Sequence, residues 1–169
     1  MNHYTLRQAN IDDAQSLIKF IKQLESESEY LLCGSGERRL QLERVESYLQ
    51  KIQMTTKPLM YVAVDNKQNI VGFVCGETSS FKRISHVIKV NIGLLKKVRR
   101  TRLARELGIL FLQKAREAGI VRIEATVIKE NKLSLNLCKK FGAKIEGLKE
   151  SSIKIGDRFY DEYLLAKIL

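Results

Sequence analysis

Behind Asp12 and Asp13, the apolar residues Ala14, Leu17, Ile18, Ile21 and Leu24 recur every three or four positions, the spacing that gathers side chains on one face of a helix. The short alternating stretch Tyr4 to Arg7 ahead of them reads as a strand. Leu42, Val45, Leu49 and Ile52 repeat the helical step, which predicts a second helix over Glu37 to Gln53, after a loop holding Gly34 and Gly36. The period then changes. Leu59 to Val64 and Ile70 to Cys75 are short, β-rich runs, and the polar segment Asp65-Asn66-Lys67-Gln68-Asn69 between them reads as a hairpin turn. A further strand is expected at His86 to Leu95. Leu103, Leu107, Leu110, Phe111 and Ala115 mark an amphipathic helix that stops at Gly119, and Ile120 to Ile128 is again strand-like. Strand, helix and strand in that order fit a right-handed crossover between parallel neighbours. A short helix, Lys132 to Phe141, ends at Gly142. Two last strands, Ala143 to Ile155 and Arg158 to Leu169, are joined by Gly156-Asp157. With no internal repeat and no linker, the pattern predicts one α/β domain over residues 1–169.

Composition narrows the class. A single proline, Pro58, and the absence of any low-complexity tract exclude collagen-like and disordered chains. The three cysteines, Cys33, Cys75 and Cys138, are odd in number and far apart, and only His3 and His86 accompany them, so neither a disulfide framework nor a metal site is expected. The polar opening Met1-Asn2-His3-Tyr4 lacks a signal core, and no apolar run reaches the roughly 20 residues of a membrane span. A cytoplasmic protein without membrane contact is expected.

The net charge of +11 is unevenly spread: nine basic residues and no acidic one lie between Thr78 and Arg105. Such a run is either a solvated surface or a site for a polyanion, whether nucleic acid or a phosphate-rich cofactor. Its concentration at Val98 to Ala104, where a strand hands over to a helix, favours the cofactor, because a helix N-terminus offers unpaired N–H groups to phosphate. The nucleic-acid reading rests on charge alone.

The segment Leu94-Leu95-Lys96-Lys97-Val98-Arg99-Arg100-Thr101-Arg102-Leu103-Ala104 resembles the acetyl-CoA loop of the GNAT superfamily, Q/R-x-x-G-x-G/A, with Arg99 at its first position and Ala104 at its last. Val127-Ile128-Lys129-Glu130-Asn131, followed by Ser134, Leu137, Cys138 and Gly142, is similar to the family's V-x-x-x-N-x-x-A-x-x-L-Y-x-x-x-G-F block. Ile153 to Tyr163 looks like the closing hairpin of bacterial members. The motifs cover about Ile92 to Gly142, and the order of elements covers nearly the whole chain.

The resemblance implies a mixed, mostly antiparallel sheet of about seven strands, splayed between the fourth and fifth and flanked by about four helices. It implies acetyl-CoA as co-substrate, with its pantetheine arm in the gap. The backbone of Ile92, Gly93 and Leu94 would run along that arm. Arg99, Arg100, Thr101, Arg102, Leu103, Ala104 and Arg105 would surround the pyrophosphate, and Asn131 would contact the cofactor. The activity implied is direct N-acetyl transfer to a primary amine of a small molecule or a protein terminus; the alternative is a degenerate member that binds acyl-CoA as a sensor. A homodimer is compatible with either.

Two departures from the family pattern bear on the chemistry. Arg102 replaces the first glycine, which is tolerable where the backbone is already helical, and Cys138 stands where many members place a tyrosine that protonates the CoA thiolate. Cys138 is thus either that acid or a small core residue. Glu77 and Glu124 are the candidate bases, Thr126 occupying the position where some relatives carry an acid. Ala143 replaces the usual phenylalanine. Glu25, Glu27, Glu29 and Glu37 are either ordinary solubilising residues at a helix end or an acidic acceptor rim that would attract a polyamine or a basic peptide N-terminus. Tyr160 and Tyr163 either line that cleft or pack.

Overall fold

The computed structural model describes residues 4–54, 57 and 60–169; His3, Pro58 and Leu59 fall outside them. The chain runs β1 (Thr5–Gln8), α1 (Ala14–Glu27), α2 (Leu42–Met54), β2 (Met60–Val64), β3 (Ile70–Thr78), β4 (Val87–Leu94), α3 (Leu103–Glu117), β5 (Arg122–Ile128), α4 (Lys132–Lys140), β6 (Lys144–Ile155) and β7 (Arg158–Ile168). The strands form one sheet in the order β1-β2-β3-β4-β5-β7-β6. Every neighbouring pair is antiparallel except β4 with β5. Among the described residues no helix is long and apolar enough to cross a membrane.

All five residues of β2 are buried, as expected of a strand covered on both faces. One cover is α1: Phe20 meets Phe73 of β3 edge-on at 5.6 Å between ring centroids. The other is α3, whose Leu107 and Phe111 lie against the Cα atoms of Gly72 and Gly76. Because side chains alternate along β3, Phe73, Cys75 and Glu77 face α1, while Gly72, Val74 and Gly76 face α3. A second, smaller core of Val127, Leu135 and Leu165, with Cys138, Ala143 and Tyr163 against it, holds α4 onto β5 and β7.

Local chemistry sets the joints. Asp65 Oδ1 accepts the N–H groups of Lys67 and Asn69, closing the β2–β3 hairpin. At the start of α1, Asp13 takes the Asn10 N–H at 2.9 Å and both terminal nitrogens of Arg7 at 2.7 Å. Gly119 and Gly142 end α3 and α4 at φ +71° and +81°, a backbone that a Cβ disfavours.

Two boundaries differ from the sequence pattern. Helix α2 begins at Leu42, not Glu37, because Glu37 instead accepts the Gly34 N–H at 3.1 Å and Arg38 is drawn to Glu25 at 2.9 Å. Strand β3 continues past Cys75 to Thr78, since Gly76, Glu77 and Thr78 find partners in Val90, Lys89 and Ile88. The sheet's outer strands are unlike. β1 has four residues; β6 has twelve but is broken between Lys149 and Ile153, where Ser151 adopts φ 51° and its N–H turns to Asp161.

Candidate active site

The parallel pair β4 and β5 is joined only where Val87, Ile88 and Lys89 meet Arg122, Ile123 and Glu124. Beyond this the strands part, although β4 stays paired with β3 as far as Leu94 and β5 with β7 as far as Ile128. The β5-facing edge of β4 from Val90 onward therefore lacks a strand partner, the condition under which an extended ligand can add to a sheet. On the α3 side the gap is a slot of about 80 Å³ lined by Val90, Ile92, Gly108, Ala125, Cys138 and Phe141. The Phe141 ring lies so close over Gly108 that a Cβ there would be 2.3 Å away. Gly93 serves packing: a Cβ on it would meet Leu24 of α1 at 2.5 Å and Phe73 at 2.6 Å.

At the carboxyl ends of these strands the chain makes a 3-10 turn over Lys96–Val98 and enters α3. Arg100 is left-handed at φ 63°, whereas Arg102, where the family pattern has glycine, is helical at φ −72° and ψ −11°. The left-handed step at Arg100 follows the extended Arg99 (φ −67°, ψ 154°) and turns the chain into the helical backbone of Arg102 and α3. Among the described residues the N–H groups of Arg100, Thr101, Arg102, Ala104 and Arg105 have no acceptor in the protein. The side chains of Arg100, Arg102 and Arg105, borne on the same stretch, are exposed and without a carboxylate partner among the described residues. Leu103 departs from the expectation of a phosphate contact. Its N–H donates to Thr101 Oγ1 at 3.2 Å and its side chain is buried, because it begins the apolar face of α3.

Arg99 is also placed differently from a phosphate ligand. Its Nε donates to the Leu94 carbonyl at 3.0 Å and its Nη1 to the Glu27 carbonyl at 3.2 Å, so the guanidinium ties the loop to the end of β4 and to the last turn of α1. Glu27 completes the tie by accepting the Lys96 N–H. Slight burial pushes the Glu27 carboxyl up, but that N–H, Gln23 and the charges of Arg99 and Lys96 outweigh it and hold the group below the ordinary glutamate value. The Leu94 carbonyl thus has one lone pair engaged, leaving Ile92 as the freer backbone position on the slot.

The face of the sheet toward α1 and α2 carries the candidate bases. Register places Glu77, Lys89 and Glu124 side by side across β3, β4 and β5. Glu77 is exposed, whereas Glu124 is paired at 2.7 Å with Arg122, which also clasps Glu146. One step up, Cys75 lies beside exposed Asn91, where the gap begins. Burial, with the Glu77 charge added, pushes the Cys75 thiol up to about 12, and burial with Cys75 and Glu77 nearby pushes the Tyr48 hydroxyl on α2 up to about 12. Both groups stay protonated at neutral pH.

Cys138 borders the slot from α4, and burial raises its thiol above the usual value, leaving it protonated as well. Asn131 caps α4: its Oδ1 accepts the Ser134 N–H at 3.2 Å, and its amide N–H groups have no acceptor among the described residues. Beside it, Glu130 Oε2 is buried with no hydrogen-bond partner among the described residues, a feature without a periodicity or motif to betray it in the sequence. Tyr163 packs in the α4 core, and Tyr160 lies under the Arg158 guanidinium at 4.8 Å. Among the described residues no group of three or more His, Cys, Asp or Glu could hold a metal ion.

The model of the acetyltransferase (GNAT) domain family matches residues 3–144. No curated protein matches the sequence. Among solved structures, the chain is similar to an acetyltransferase of the GNAT family from Streptococcus pneumoniae, with 25% identity over 99% of this chain and 100% of that one and a TM-score of 0.95. It shares its fold with a ribosomal-protein-alanine N-acetyltransferase from Brucella melitensis, at 18% identity over 98% of this chain and 99% of that one, TM-score 0.84. It also shares its fold with a phosphinothricin acetyltransferase from Sinorhizobium meliloti in complex with AcCoA, at 16% identity over 98% of this chain and 88% of that one, TM-score 0.85.

Proposed function

The chain belongs to the GNAT acetyltransferase family, and on that premise we propose that residues 1–169 form one catalytic domain moving an acetyl group from acetyl-CoA directly to a primary amine of a small molecule or a protein N-terminus. The observation that carries this reading is the gap between β4 and β5, with five N–H groups that have no protein acceptor among the described residues lying just past the end of β4, on a stretch bearing exposed Arg100, Arg102 and Arg105. Such a cradle suits a pyrophosphate, the unpaired edge of β4 at Ile92 suits an amide-bearing arm, and the free amide of Asn131 offers a further contact.

Bound acetyl-CoA supplies an activated thioester. A β4 N–H near Ile92 polarises its carbonyl, and such a fixed dipole in a dry slot stabilises the negative charge that develops on oxygen. The amine arrives from the α1 and α2 face as an ammonium and loses its proton to a carboxylate, directly or through water. Glu77 suits this role better than Glu124, whose carboxylate is committed to Arg122. The amine nitrogen forms a bond to the carbonyl carbon, the carbon–sulfur bond breaks, and the proton shed by the new amide nitrogen reaches the CoA sulfur through water or through the Cys138 thiol, which gives up its own proton and takes that one in return.

The narrow slot and a cysteine where a tyrosine is usual favour one second reading, an acyl-CoA-binding protein without turnover. Calorimetric titration with acetyl-CoA, paired with thiol release in the presence of an amine panel, separates the two. Saturable micromolar binding with release supports the enzyme, binding with none supports the sensor, and binding no stronger than salt-controlled charge attraction refutes both. Arg100→Glu is expected to weaken binding strongly and Lys82→Glu hardly at all; equal effects would point to a diffuse basic surface.

A further inference from the structure

The cavity between the end of α1 and the loop 34–40 is lined by three cations and one carboxylate, and from this we propose that the amine substrate carries a second, anionic group, a carboxylate or phosphonate, seated there. This inference rests on the acetyltransferase reading and specifies its acceptor.

Three of the four glutamates at this rim are bonded within the protein. Glu25 is 5% exposed and neutralised by Arg38 at 2.9 Å. Glu27 holds the Lys96 N–H and the Gln23 amide, and Glu37 holds the Gly34 N–H. Glu29 alone remains on the rim without a partner among the described residues. In their place a cavity of about 480 Å³ opens, lined by Lys22, Arg38 and Arg39 against the single carboxylate of Glu25. That volume lies within the roughly 300–1,000 Å³ usual for small-molecule sites.

Arg38 spends Nε on Glu25 and Nη2 on the Cys33 sulfur at 3.3 Å, while Lys22 and Arg39 have no carboxylate partner among the described residues. Two free cations beside a fixed guanidinium repel a polyamine and match a planar or tetrahedral oxyanion, to which arginine can donate two parallel bonds. The cavity lies at the end of α1, where Leu24, next to Glu25, packs against Gly93 of β4 on the face of the sheet that also carries Cys75 and Glu77. An amine whose anion sits on Lys22 and Arg39 is therefore anchored on the face that carries Glu77.

The test measures CoA thiol release with L-amino acids, their amides, the corresponding decarboxylated amines, 2-aminoethylphosphonate and spermidine. The anionic amines are expected to exceed their neutral counterparts in kcat/KM by roughly tenfold or more, the comparison of carboxylate with phosphonate showing which anion fits. Arg39→Gln and Lys22→Gln leave the Glu25–Arg38 pair in place and are expected to bring that ratio toward one. Equal rates for charged and neutral amines, or preferred turnover of spermidine, overturns the anionic seat while leaving the acetyltransferase reading intact. If no amine releases thiol, titration of the protein with the same amino acids decides: saturable binding lost in Arg39→Gln supports the seat, and no binding overturns it. Failure of acetyl-CoA itself to bind in the same calorimeter strikes the parent reading instead.

Discussion

Arg99 can be tested as a clamp. Replacing it by glutamine removes a bond to the Leu94 carbonyl at 3.0 Å and one to the Glu27 carbonyl at 3.2 Å. Hydrogen bonds from charged donors contribute about 1.5–3 kcal/mol each when shielded, and partial exposure lowers this, so the pair contributes about 2 kcal/mol. In a domain of this size each kcal/mol moves Tm by about 2–4 °C, giving an expected fall of about 4–8 °C in the protein without ligand. The assay is a melt of wild type and Arg99→Gln with and without acetyl-CoA, alongside calorimetry at two salt concentrations. A clamp lowers Tm in the absence of ligand and leaves the salt dependence of CoA binding as it was, because the cationic side chains near the cradle remain. A phosphate ligand behaves in the opposite way: the unliganded melt is unchanged, affinity drops, and the salt slope becomes shallower by about one. That second pattern would refute the clamp.

Thr101→Val removes both the acceptor of the Leu103 N–H and the donor to the Val98 carbonyl, costing about 1 kcal/mol; CoA Kd should rise roughly fivefold by calorimetry and recover in Thr101→Ser. Burial pushes the Asp13 carboxyl up, but the bonds from Arg7 and the Asn10 N–H hold it below the ordinary aspartate value. A depressed pKa gives stability that is complete above the unfolded value of about 3.9 and is lost as pH falls through the folded one. The stability gap between wild type and Arg7→Gln should therefore be full, about 2 kcal/mol, at pH 7 and shrink in denaturant melts below pH 4; a gap unchanged at low pH would remove the pair from the account. Gly76→Ala would set a Cβ 2.3 Å from Ile88 and 2.7 Å from Phe111, costing about 1–3 kcal/mol as a lower urea midpoint with unchanged slope. A wild-type midpoint would mean that the core yields there at no cost.

Periodicity revealed the elements because it is a local property. The steps through Ala14, Leu17 and Leu24, or through Leu103, Leu107 and Phe111, lie on the buried faces of α1 and α3, and the α1 face also takes in Phe20, which stood outside the steps read. The β4–α3–β5 order likewise carried the single parallel pair, and the resemblance of Arg99 to Ala104 led to the cradle. What could not be read depends on partners distant in sequence. The fate of Glu25 is decided by Arg38, thirteen residues away, and that of Lys96 by Glu27, sixty-nine residues away. A row of glutamates thus looked like an acidic rim although most of it is internal wiring. Charge and motif position likewise say nothing of where the Arg99 guanidinium turns, here toward the Leu94 and Glu27 carbonyls. The late start of α2 has the same origin, since Glu37 and Arg38 have respectable helix propensity but find better partners in Gly34 and Glu25.

The two rims of the sheet bear on self-association. β1 is too short to template another strand, and β6, studded with Lys144, Lys149 and Lys154, has its hydrogen-bonding rhythm broken by the bulge at Ser151. Copies of this protein packed at high concentration consequently find little purchase for edge-to-edge polymerisation, and the long vacant run of strand backbone lies inside the sheet, along β4. A fold arranged in this way can keep an adhesive surface permanently open for a thin guest while refusing it to its own kind.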